Sequence, residues 1–359
     1  MKIRMAFLHD YFNARGGGER VALYFSRYKP DYYTYFFDET KTYNELKNMN
    51  IITPKNHIKT SFLRQISCIR YFKKLKLNPK DYDIFIMTGF YSIFASRYNH
   101  PNIWYTYGPS KTLLLTKYFN QEKLLRKISV LLWRRITLGE NTKFVKSYVD
   151  KIIAISKYAS ERTEKLYGRD AEVLYLPVDV KKFCNKPAED FYLTVSRLEP
   201  NKRINLIVEA FKKMPDKKII IVGDGSQRKY LEKLAEGHKN IIFYGSVDEK
   251  TLLDLYSRCI AFIFVPMLED FGLVVLEAMA SGKPVITVNE GGPKEIVINK
   301  HTGLIINPSE SELIKAVRFL TKEKAEDMKK NCLKRVREFS MESFFKKMDK
   351  IIEETINNY

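Results

Sequence analysis

The chain has 359 residues, 45% of them apolar, which suits two domains of ordinary size better than one small core. It holds no apolar run of the 18 or more residues that a membrane span requires. Its four cysteines, Cys68, Cys184, Cys259 and Cys332, lie too far apart for a zinc site or a disulfide framework. The net charge of +20 is unevenly spread: residues 1–183 hold 33 Lys and Arg against 16 Asp and Glu, whereas residues 184–359 hold 29 against 26.

Through the first half, short apolar runs alternate with helical patterns, which predicts βαβ units and a parallel sheet. Ile3 to Leu8 reads as the first strand, and because Met1 to Leu8 carries no signal-peptide apolar region the protein is expected to stay in the cytosol. Gly16-Gly17-Gly18-Glu19-Arg20 then opens a helix to about Arg27, and Gly17 and Gly18 let backbone approach a diphosphate closely. Between 46 and 80, Lys47, Lys55, Lys59, Arg64, Arg70, Lys73, Lys74, Lys76 and Lys80 meet no acidic residue, while Phe62, Ile66, Ile69 and Phe72 recur at helical spacing. This basic amphipathic segment predicts a peripheral hold on an anionic membrane surface. Nucleic acid, the other partner such charge suits, is set aside because no recognised binding module accompanies it.

Tyr82 to Met87 and Ile103 to Thr106 read as buried strands, and 121–150 as a long helix with basic residues around an apolar stripe. Lys151 to Ile155, a helix from Ser156, and Ala171 to Val178 give strand, helix, strand. The polar stretch Lys181 to Asp190, with Pro187, is the expected linker.

The second half restarts with a strand at Tyr192 to Ser196, then Arg197-Leu198-Glu199-Pro200-Asn201-Lys202 and a helix from Ile204 to Lys213. Arg197 and Lys202 are two cations beside a helix start, suited to a diphosphate leaving group whose charge grows as its bond breaks. Lys218 to Val222 and Ile241 to Tyr244 are further strands, ending at Gly223 and Gly245, where open α/β sheets bind ligands. The run Ile260 to Val265 ends at Pro266; Glu269, Asp270, Phe271 and Gly272 follow, then the helix formers Leu273 to Ala280, closed by Gly282 and Pro284. Amides at Gly272 and Leu273 suit a phosphate. Glu277, one turn above Leu273, suits a vicinal diol such as ribose.

Glu269, seven intervening residues and Glu277, set in Glu-Asp-Phe-Gly and Glu-Ala-Met-Ala-Ser-Gly-Lys-Pro-Val, resemble the paired-glutamate signature of the family 4 glycosyltransferases, retaining enzymes of the GT-B fold. Arg197 and Lys202 with Glu-Ala-Phe at 209–211, Gly291-Gly292-Pro293-Lys294-Glu295, and Tyr175 to Asp179 extend the resemblance.

It implies an α/β protein of two Rossmann-like doubly wound parallel-sheet domains about a cleft. Residues 1–183 would form the acceptor side, joined by a C-terminal helix at 340–359, and 184–339 the nucleotide-sugar side. The implied reaction transfers a hexosyl group from a UDP- or GDP-sugar to a hydroxyl of a glycan or lipid-linked acceptor. Glu269, Arg197 and Lys202 take the catalytic roles, with Gly17, Gly18, Gly245, Val247, Asp270, Phe271, Gly272, Leu273 and Glu277 around the donor. Neither metal nor cofactor is expected, since protein cations and amides meet the diphosphate. The alternatives are a non-catalytic GT-B scaffold and a nucleotide-sugar epimerase of the same fold.

Two local features qualify the resemblance. Tyr107 stands where many family members have histidine, so with Lys111 it is expected on the acceptor or donor-sugar side as a neutral phenol. Asp81-Tyr82-Asp83 imitates the metal-binding DxD motif of another glycosyltransferase fold, but it leads straight into a strand and is expected to be structural.

Overall fold

The computed structural model describes residues 3–58, 61–109 and 124–359. The chain divides into two compact units, Met1–Leu174 with Lys347–Tyr359, and Tyr175–Lys346.

The first unit is built on parallel strands β1 (Met5–Phe12), β2 (Asp31–Phe37), β3 (Ile51–Ile52), β4 (Ile84–Met87), β5 (Asn102–Thr106), β6 (Lys151–Ala154) and β7 (Glu172–Val173). Their order is β3-β2-β1-β4-β5-β6-β7, with Leu8 of β1 opposite Tyr33 of β2 and Met87 of β4. Helices Gly17–Phe25, Ser61–Lys74, Leu124–Tyr148 and Lys157–Tyr167 connect them. Phe7 packs its ring on Phe25 and Tyr32, with centroids 5.1 and 5.3 Å away.

The second unit carries β8 (Tyr192–Val195), β9 (Ile219–Val222), β10 (Ile241–Gly245), β11 (Phe262–Phe264), β12 (Val285–Val288) and β13 (Gly303–Ile306), ordered β10-β9-β8-β11-β12-β13 and all parallel. Helices Ile204–Lys212, Arg228–Leu234, Glu249–Arg258, Leu273–Ala280, Glu310–Phe319 and Lys322–Val336 accompany the sheet. A strand covered on both faces must be apolar on both, and Ile-Ile-Ile-Val at 219–222 is buried throughout. Burial of each such isoleucine contributes about 1.5–3 kcal/mol.

In both sheets the first three strands run outward to one side and the fourth returns beside the first. The order therefore reverses between β1 and β4, and again between β8 and β11. Loops leaving the carboxyl ends of strands flanking such a reversal border the crevice where doubly wound sheets hold ligands.

The predicted strand at Ala171 to Val178 is shorter than expected: only Glu172 and Val173 pair with β6. Tyr175 already belongs to the second unit, stacking on Phe271 at 5.7 Å and packing on Phe339 at 5.4 Å, and Val178 bridges Ser340. The chain thus changes unit between Leu174 and Tyr175, ahead of the polar stretch at 181–190. The last helix, Met341–Asn357, returns to the first unit from Lys347, where Asp349 accepts a 2.5 Å hydrogen bond from Tyr28. No described helix is long and apolar enough to cross a membrane.

Candidate functional site

In the second unit the site is assembled from loops that leave β8, β11 and β12. After β8 the chain exposes Arg197, turns through Pro200–Lys202 and enters the helix Ile204–Lys212. Lys202 Nζ lies 2.6 Å from Glu269 Oε2, with the two side chains only 11% and 21% exposed, and 5.5 Å above the Phe264 ring. An ion pair so shielded fixes both groups far better than one in open water.

The loop after β11 carries Glu269 and half-buried Asp270, then Phe271, which is buried against Tyr175. Gly272 follows at φ 97°, a left-handed conformation that only glycine adopts readily, and begins the helix Leu273–Ala280 without a side-chain cap. A Cβ there would meet Pro293 at 3.1 Å and Phe264 at 3.2 Å. Arg203 and Gly16 likewise leave their helices without a side-chain cap, whereas Ser156, Asp248, Ser309 and Thr321 cap theirs. Helix starts lacking side-chain oxygens present amides and a positive dipole end to an anion.

Glu277 is 6% exposed and its Oε2 accepts a 2.9 Å hydrogen bond from the Tyr256 hydroxyl. The neighbouring loops interlock. Met267 N–H donates to Asn201 O (2.7 Å), Gly292 N–H to Glu269 O (2.8 Å), and the Ser226 hydroxyl to Glu199 (2.7 Å). Arg203 reaches Glu290 at 3.0 Å. Gly245 ends β10 at φ 68° under Arg228, and half-buried Val247 lies in the loop beyond.

Of the residues singled out from the sequence, the structure brings Lys202 against Glu269 and strings Gly272, Leu273 and Glu277 along one helix start. Gly245 closes β10 and Val247 follows it, at the sheet edge away from the reversal. Arg203, Glu290 and Tyr256 were not singled out. Tyr256 carried a signal, because its position on an apolar helix face predicts burial, and a buried hydroxyl needs a partner.

The first unit gathers a second set of groups after β1 and β4. His9 is buried, its Nδ1 2.8 Å from Thr88 Oγ1, and burial pulls its pKa down to about 4, so the imidazole is neutral. Asp10 accepts hydrogen bonds from the N–H groups of Phe90, Tyr91 and Ser92. A Cβ on Gly18 would come within 3.0 Å of His9 and 3.7 Å of the Tyr107 hydroxyl, so the glycine loop lies directly on both side chains. That hydroxyl is buried without a hydrogen-bond partner among the described residues, and burial pushes its pKa up. Buried Glu19 steadies the loop by accepting from Ala14 N–H at 3.1 Å; Gly17 is exposed at the helix start. Lys111 lies outside the described residues.

Asp83 is taken up by Arg4 at 2.6 Å and the Tyr82 hydroxyl by Asp31 at 2.6 Å, while Asp81 is exposed. Among the described residues no three His, Cys, Asp or Glu side chains gather as a metal-binding group.

Two doubly wound parallel-sheet units, one of seven strands and one of six, are the architecture of the GT-B fold. Residues 179–339 match the family described as glycosyl transferases group 1, and this segment is a domain of that family. An uncharacterised glycosyltransferase of Methanocaldococcus jannaschii is 32% identical over 45% of this chain and 47% of its own length, so the chain spans about half of that relative. The alpha-1,3/1,6-mannosyltransferase ALG2 of Dictyostelium discoideum is 24% identical over 84% of this chain and 81% of its own. Among solved structures, Anabaena HepE in complex with UDP and glucose superimposes with a TM-score of 0.77 at 17% identity, covering 98% of this chain and 99% of that one. This last likeness is one of fold.

Proposed function

We propose that the protein is a retaining glycosyltransferase that moves a hexosyl group from a UDP- or GDP-sugar to a hydroxyl of a glycan or lipid-linked acceptor, without a divalent ion. The observation that carries the reading is the shielded Lys202–Glu269 pair beside the uncapped start of the helix Leu273–Ala280, at the reversal between β8 and β11. Kinship with group 1 glycosyl transferases over 179–339, and the UDP and glucose held by HepE, support it.

In this reading Arg197, Lys202 and the amides at Gly272 and Leu273 meet the departing diphosphate, whose charge increases toward the transition state. Glu269 holds donor-sugar hydroxyls and stabilises positive charge developing on the sugar ring. Glu277 holds the ribose, and the loops of Asp270, Phe271, Gly245 and Val247 enclose the nucleotide. Gly17 and Gly18 are assigned to the diphosphate, and Tyr107 with Lys111 to the acceptor or the donor sugar. The work is done on the cytoplasmic side, at the inner face of the cell membrane where a lipid-linked acceptor is anchored.

The test is donor hydrolysis in the absence of acceptor, assayed with UDP- and GDP-hexoses. The wild type is expected to release nucleoside diphosphate, and Lys202→Ala to lose about 10²–10³ in kcat, the scale for removing one charge-stabilising group. Equal turnover by wild type and variant at saturating donor would remove Lys202 from the mechanism. Release of an epimerised sugar nucleotide, or no turnover with any donor, would overturn the transferase reading.

A further inference from the structure

We infer that Arg203 and Glu290 form a clamp that positions Lys202 and Glu269, an inference whose consequence for turnover rests on the transferase reading. Arg203 directly follows Lys202 and has φ 52°; Leu268 directly precedes Glu269 and has φ 51°. Side chains with a Cβ rarely adopt this left-handed backbone, and it persists only where the surroundings enforce it. Among the described residues four non-glycines have positive φ, and two of the four abut the same ion pair.

What enforces the strain is visible around the Arg203 guanidinium. Its Nη1 lies 3.0 Å from Glu290 Oε2 and 3.4 Å from the Pro266 carbonyl, and its Nη2 lies 3.2 Å from Glu290 Oε1. Nη2 donates to Glu290 and Nη1 to the Pro266 carbonyl, so the planar guanidinium ties the helix start after β8 to the end of β11 and to the loop after β12, with two fixed N–H directions that a lysine lacks. Glu290 leads into Gly291 and Gly292. A Cβ at Gly291 would stand 2.3 Å from Glu269 O, and Gly292 N–H donates to that oxygen at 2.8 Å. Pulling on Glu290 thus pulls on the backbone that presents Glu269. With side-chain exposures of 18% and 27%, the pair is shielded enough to differ from an ordinary surface salt bridge.

Glycine accepts positive φ without strain, so Arg203→Gly separates local backbone fit from clamping. The experiment compares wild type, Arg203→Gly, Arg203→Lys and Glu290→Gln. The readouts are the rate at which an amine-acetylating reagent modifies Lys202, followed by peptide mass spectrometry, with melting temperature, kcat and donor KM. The clamp predicts that Lys202 is modified several-fold faster in Arg203→Gly and Glu290→Gln while the melting temperature stays within a few degrees of wild type. It predicts kcat down about tenfold with donor KM changed less than about threefold, and only partial rescue by Arg203→Lys.

An unchanged Lys202 modification rate in both Arg203→Gly and Glu290→Gln overturns the clamp whatever the turnover. Faster modification with wild-type kcat overturns its role in catalysis. A wild type that turns over no sugar nucleotide overturns the transferase reading instead, and the modification rates still decide the clamp.

Discussion

On the transferase reading, the Glu277 carboxylate has two tasks, one toward Tyr256 and one toward the ribose. It is buried, and it accepts the Tyr256 hydroxyl at 2.9 Å, so its orientation is fixed before any ligand arrives. If Glu277 holds the ribose as proposed, replacement by alanine removes charged hydrogen bonds worth about 1.5–3 kcal/mol, and donor affinity is expected to fall about 10- to 150-fold. The same change removes the carboxylate that accepts the buried Tyr256 hydroxyl, and the loss of that hydrogen bond is expected to lower stability by about 1 kcal/mol. Glu277→Gln keeps an acceptor for Tyr256 while losing the charge, so it is expected to melt near the wild type yet still bind donor more weakly. Titration calorimetry beside thermal melts separates the two tasks. Wild-type affinity in Glu277→Gln would mean that the ribose is held elsewhere.

Among the elements, the helix Leu273–Ala280 was legible from sequence to its end residues, because Pro266, Gly272 and Gly282 punctuate a run of good helix formers. β2 was not. Asp31-Tyr32-Tyr33-Thr34-Tyr35-Phe36-Phe37 shows neither clean alternation nor an aliphatic run, and its aromatics are resolved only by neighbours such as Phe7, 5.3 Å from Tyr32. β13 is four residues long and begins on a glycine, too little pattern to stand out. The clamp was hidden for another reason: nothing in the residue types of Arg203 or Leu268 announces positive φ, which long-range packing imposes.

The basic stretch was read as one amphipathic segment and resolves into a short turn, β3 and the helix Ser61–Lys74. Lys55, Arg70, Lys74, Lys76 and Lys80 are exposed there, with Ile58 and Leu63 exposed beside them at 40% and 53%. At about 1 kcal/mol per basic residue near an anionic surface, four of them give roughly a thousandfold preference over neutral lipid at low salt. Co-sedimentation with vesicles is expected to show that preference and to lose most of it when Arg70, Lys74, Lys76 and Lys80 become glutamine. Equal binding to neutral and anionic vesicles would refute the membrane role.

On the scale of the whole molecule, each unit has its own sheet and core, and the charge divides between them as the sequence does, with the surplus of Lys and Arg in the first half. Lys202, Glu269 and Glu277 all lie in the second unit, so a nucleotide sugar at a hundred times its dissociation constant is expected to stabilise that unit by about 2.7 kcal/mol. A thermal-shift series with UDP- and GDP-sugars checks this and ranks the bases. If no nucleotide moves the melt, the proposed site does not bind one. The two-unit plan was legible in the strand-helix alternation, whereas the side chains that join one loop to the next were not, since they pair residues as far apart as Arg203 and Glu290.

The Lys202–Glu269 bond also bears on selectivity. Because the two charges already offset each other, Lys202 offers a stray anion little net attraction. Orthophosphate would capture the amine only by stranding the acid, and a lone monosaccharide would do the reverse. On the transferase reading, a molecule presenting both pyrophosphate and sugar hydroxyls in one piece compensates both halves of the broken bond, so the proposed site favours an intact sugar nucleotide over its separate fragments.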